Sequence, residues 1–190
     1  MKTHRKRAKR NILSLIEDTW ERNPPPPDVC VALSQVSDID LELNDVRKFF
    51  LNKNWWEIEV DVFESPFPDL FLIEKIPLRY YFPAFLRASI LINNSIGTVT
   101  ERIISWLVPP KKDKDRRLFE EQFSSLAINE RNCILFFLEY MIIVYRHRYT
   151  KNDIRTVRRI QNAIETYWCL CPSPVLPPKN TASNAQTDEN

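Results

Sequence analysis

Hydrophobic residues recur three and four positions apart through most of this chain, a spacing that predicts helices rather than strands. In the first such segment Ile12, Leu15, Ile16 and Trp20 share one face. That helix cannot pass Asn23, because Pro24 to Pro27 form an unbroken proline run. Prolines fix φ and lack an amide hydrogen, so the run reads as a stiff polyproline-II spacer; a proline-motif ligand is the sharper reading, without a clear flanking signature. A second helix is expected from an Asp38 or Asp40 cap, with Leu43, Val46, Phe49 and Phe50 inward and an end at Lys53-Asn54. After Trp55-Trp56, residues Glu57 to Phe63 alternate polar and apolar as a strand does. A lone strand has no partner, so an extended edge and a short helix are both allowed there.

The densest aromatic cluster, in Leu78 to Leu86, is read as the front of a helix reaching about Ile92. Leu78, Phe82, Phe85, Leu86, Ser89 and Ile90 fall on one face, and Tyr81, Ala84, Ala88 and Ile92 on the adjoining one. A helix apolar on two adjoining faces packs on more than one side, which makes it the expected centre of the fold. Pro77 suits its first turn, whereas Pro83 falls inside and predicts a kink. Lys75, Arg79, Pro83 and Arg87, four apart, form the one non-apolar strip.

Thr98 or Thr100 is expected to cap the next helix, whose inward residues are Val99, Ile103, Ile104, Trp106 and Leu107 before Pro109-Pro110 stops it. Lys111 to Arg117 is a charged loop or helix start that leads to Leu118, Phe119, Phe123 and Leu126. A helix from about Asn129 to Arg148 buries Ile134, Phe137, Leu138, Met141, Ile142 and Tyr145. The last, from about Asn152 to Trp168, turns Ile154, Val157, Ile160, Ile164 and Trp168 inward, with Lys151, Arg155, Arg158 and Arg159 opposite. The fold class is therefore mainly α: a compact bundle of five to seven helices around a kinked central helix. Residues 1–10 are expected to be a flexible basic arm, 11–171 a single helical domain, and 172–190 a disordered tail rich in Pro, Asn, Ser and Thr.

Composition narrows the chemistry. The single glycine, Gly97, rules out phosphate loops, dinucleotide fingerprints and nucleophile elbows, all of which need several. Net charge is only +2, but it is unevenly placed. Residues 1–10 carry six Lys or Arg and no acid, while residues 38–74 carry ten acids against three bases. Cys30, Cys133, Cys169 and Cys171 contain no CxxC pair, no secretory signal is evident, and the run Cys133 to Tyr145 is too short to span a bilayer. A cytoplasmic chain without a membrane segment is the expectation.

Candidate sites follow from these patterns. His4 and His147 are the two histidines; His147, between Arg146 and Arg148, suits the negative end of a helix better than a metal. Neither metal nor cofactor is expected. Glu57, Glu59, Asp61 and Glu64 could serve acid–base chemistry, a docking face or simply a solvated surface. Lys75, Arg79, Tyr80 and Arg87 could border an anion site opened by Pro83, or the arginines could pair with the acidic segment before them. Arg5, Lys6 and Arg7, with Arg155, Arg158 and Arg159, could meet nucleic-acid phosphates.

The segment Tyr80-Tyr81-Phe82-Pro83-Ala84-Phe85-Leu86 resembles the Tyr-Tyr-x-Pro-Ala-Phe core of a bacterial family known only as a domain of unknown function. Trp55 or Trp56 before it, Leu126 leading to Phe137-Leu138, and the closing Tyr167-Trp168 are similar too, over about residues 11 to 168. Glu74-Lys75-Ile76-Pro77 departs from the Thr-Pro-Glu-like helix start seen in that family. The resemblance implies a helical domain and brings no catalytic residue. A non-catalytic domain that recognises another protein through charged patches is the reading adopted, with no membrane partner and no oligomeric state specified. The alternatives are nucleic-acid binding through the basic arm and last helix, and an enzyme site at the Arg79/Tyr80 groove.

Overall fold

The computed structural model describes residues 2–26, 49–63, 75–92, 98–147 and 150–169. Among these residues six α-helices are bounded and no strand occurs. They are α1 (Lys2–Thr19), α2 (Lys75–Leu91), α3 (Thr98–Leu107), α4 (Asp113–Phe123), α5 (Ile128–Arg146) and α6 (Lys151–Ala163). A π-helical turn, Ile164–Trp168, continues α6.

Helix α2 is buried almost all round. Leu78, Tyr81, Phe82, Ala84, Phe85, Leu86, Ala88 and Ile90 are all in the core. The helix runs on through Pro83, which is itself buried. α2 packs on α1 and α3, α1 also packs on α5, and α5 packs on α6. α1 therefore joins two halves of one core.

The aromatic residues of that core interlock edge to face or tilted, avoiding the stacked sandwich that their ring charges disfavour. Phe82 meets Trp106 at 5.3 Å, Trp106 meets Phe123 at 5.2 Å, and Phe123 meets Trp168 at 5.4 Å between ring centres. The buried indole of Trp168 donates to the Leu107 carbonyl at 2.9 Å, fixing the π-helical turn against the end of α3.

Several expectations are corrected. The basic residues 2–10 are not an arm separate from the first helix: α1 begins at Lys2. Lys, Arg and Ala are strong helix formers, and no Gly or Pro interrupts them, so propensity prevails over like-charge repulsion. Of the two forms left open for residues 57–63, the short helix is the one found: Val60–Phe63 is a 3₁₀ turn, with Trp55, Ile58 and Phe63 buried. Thr100 is no cap; it is buried within α3 and donates to the Ser89 carbonyl at 3.5 Å. Leu118 is 58% exposed, because Phe119 and Phe123, four apart, take the inward face of α4. Ile154 is 50% exposed, since its neighbour Asp153 turns in to form a capping box with Thr150.

Of the second expected helix only Phe49–Phe50 is described, ending where Asn52 takes a left-handed φ of 60°. The remainder of that helix, and the tail 172–190, lie outside the described residues.

Cys133, on α5, is buried, and burial pushes its thiol up to about 12 against a small opposing effect of a hydrogen bond with Thr19. The folded chain thus keeps a proton that the unfolded chain releases near 9. Its contribution to stability should be complete below about pH 9 and fall away as pH rises towards 12. Alkylation at about pH 8 followed by peptide mapping should modify exposed Cys169 and spare Cys133 until denaturant is added. Equal rates at the two cysteines would contradict this packing.

Candidate functional site

Arg79, Tyr80 and Arg87 of α2 act as braces to three different segments. Arg79 Nε donates to both carboxylate oxygens of Glu130 at 3.0 Å. Glu130 sits in the first turn of α5, and its Oε2 also accepts from the Ala127 amide at 2.6 Å. This is half a capping box, because Ala127 has no side-chain acceptor to return the bond. Arg79 therefore pairs across the fold, with α5.

Tyr80 donates to the Asn23 carbonyl at 2.8 Å, bringing the chain before the prolines onto α2. Burial raises its phenol above the usual range, so it stays a donor. Arg87, two turns further on, donates to the Trp56 carbonyl at 2.9 Å. Arg79 and Arg87 are separated by about 12 Å along the helix and face different partners. Lys75 is the first residue of α2.

The remaining sequence candidates are dispersed. Glu57 and Glu59 are exposed, with Glu57 accepting from Asn54 at 2.8 Å; the Asp61 side chain and Glu64 lie outside the described residues. His147 follows the last residue of α5 and is exposed. Arg155, Arg158 and Arg159 are exposed on α6, where Arg159 donates to Ser105 of α3 at 3.2 Å. Lys6 and Arg7 are exposed on α1, which also carries Arg5 in its first turns. No group of three or more metal-ligating side chains occurs among the described residues, and no described helix is long and apolar enough to cross a membrane.

A different surface emerges where α1 meets α5. An apolar cleft of about 380 Å³ lies between Ala8, Asn11 and Leu15 of α1 and Phe136, Glu139 and Ile143 of α5. Buried Ile12 and Tyr140 complete its lining. Phe136 is 50% exposed and Ile143 42%, seven residues apart on the outer side of α5. Asn11 also lines a neighbouring depression of about 340 Å³ with Lys6, Arg7 and Arg10. The cleft thus has a cationic flank.

Sequence reasoning missed this surface. From Cys133 to Tyr145 α5 is apolar nearly all round, so periodicity alone does not reveal which residues face out. The available signal is that excess: a helix with more apolar residues than one stripe needs has a second covered face.

No curated protein and no solved structure matches the chain. A family model does, over residues 9–170, a span that holds all of α1 beyond its first residues together with α2 to α6. The chain belongs to the family of unknown function DUF6714.

Proposed function

We propose that this chain is a non-catalytic domain that binds another protein in the cleft between α1 and α5. The observation that carries the reading is the pair Phe136 and Ile143, large apolar side chains held outward beside a furrow. Contiguous apolar surface rimmed by polar groups is the usual anatomy of a protein interface, and a buried aromatic residue is its usual anchor. The flank of Lys6, Arg7 and Arg10 adds a requirement: the partner presents an apolar surface bordered by carboxylates.

A photo-reactive phenylalanine at position 136, introduced in the source cells, should give protein adducts that are lost when Ile143→Glu is added. The same group at Leu118, which is exposed on α4 away from the cleft, should not give these adducts. If position 136 gives no protein adduct, the reading fails.

A second reading, nucleic-acid binding, is favoured by the exposed Lys6, Arg7 and Arg10 on one helix end and the exposed Arg155, Arg158 and Arg159 on α6. It requires retention of the intact chain on DNA or RNA that weakens steeply with salt and is lost when residues 1–10 are deleted. Absence of retention removes it.

A further inference from the structure

Resting on the cleft reading above, we infer that the occupant is a second copy of this chain, with the two α1 helices antiparallel across a twofold axis. Arg7, Asn11, Ser14 and Asp18 are spaced four, three and four apart, so they run along one edge of α1, with Asn11 in the cleft wall. The edge is cationic at its start and anionic at its end. A twofold axis passing between Asn11 and Ser14 sets Arg7 against the partner copy's acidic end at Asp18, and Asn11 against Ser14. One operation satisfies both polar pairs twice.

The carboxylates the cleft requires are thus supplied by the same helix: Glu17 and Asp18 are both exposed near its end, and the last residues of α1 carry no base. A parallel arrangement fails on charge, because it stacks two sets of six bases from residues 1–10. A twofold interface must also be self-complementary, with ridge and furrow on the same patch. Phe136 and Ile143 are the ridge, and the gap beside Ala8 and Leu15 is the furrow. α1 is about 27 Å long, and a face two helices wide over that length approaches the lower range of specific interfaces. Asp18 accepts a long 3.4 Å bond from Ser14 within its own chain, leaving the carboxylate at the surface for a stronger donor.

Sedimentation equilibrium of the intact chain from about 1 to about 100 µM tests this. The mass should rise from 22.6 kDa to twice that value. Arg7→Glu and Asp18→Lys should each weaken association by about tenfold, because symmetry counts every change twice. The chain carrying both substitutions should recover, which separates charge pairing from a folding defect. Phe136→Glu should leave a folded monomer.

A monomer at every concentration overturns the inference, as does a double variant no tighter than the single ones. The two proposals also fail separately. Position-136 adducts with a different protein sink self-association and keep the cleft, whereas no adduct at all sinks both.

Discussion

Replacing Phe85 by alanine should cost about 3–5 kcal/mol, the largest loss expected from any single truncation in this core. Phe85 is fully buried on α2 and packs on the rings of Phe50 at 5.5 Å and Phe63 at 5.3 Å. Those two rings belong to the 49–63 segment, which contains no described α-helix beyond Phe49–Phe50 and so depends on side chains to stay in place. The same segment is tied to α2 by Tyr81, whose hydroxyl donates to the carbonyls of Phe50 at 2.7 Å and Lys53 at 3.1 Å. Removing the Phe85 ring opens a cavity that the Tyr81 bonds prevent from collapsing. For a domain of ordinary stability the loss is a large share of the total, and the melting temperature should fall by about 10 °C or more. Urea unfolding and near-ultraviolet dichroism would measure it. A loss below about 1 kcal/mol would mean that the ring is not part of a tightly packed centre.

Glu130→Ala should be the second most damaging change, at about 2–4 kcal/mol. Its carboxylate is 7% exposed and answers three needs at once: two contacts from Arg79 and the amide of Ala127. Alanine removes the half capping box and the charged hydrogen bonds together. Arg79 is 44% exposed and can rehydrate, so the loss stays below that of breaking a fully buried ion pair. Glu130→Gln retains an acceptor for Ala127 and should cost about half as much. Denaturant curves on both variants decide it, and an alanine variant as stable as the parent would mean that the brace between α2 and α5 carries no net stability.

The pattern of the sequence was most informative where a helix has one clear apolar stripe. In α3 all five residues expected inward are buried, and in α2 the two apolar faces are both in the core. It was least informative where side chains one position apart compete for the same face. Leu118 loses to Phe119, and Ile154 to the capping box at Asp153, outcomes set by packing and hydrogen bonding rather than by hydrophobicity. The start of α1 was hidden for a similar reason: charge suggested fraying, while local propensity favoured helix. The braces of Arg79 and Arg87 depend on partners 51 and 31 residues away, a distance over which no local pattern speaks. The cleft beside Phe136 was concealed by the uniform oiliness of α5.

The wide turn at Ile164–Trp168 introduces a phase lag at the end of α6. There the Cys169 amide reaches back five residues to Ile164 at 2.8 Å, so each side chain after Ala163 arrives late relative to an ordinary helix. That lag swings the indole of Trp168 onto Leu107 and leaves the Tyr167 ring beside it to receive the Arg131 guanidinium at 5.1 Å. Shortening this segment by a single residue would cancel the delay and unlatch Trp168 from the end of α3, although no residue in the latch itself had changed.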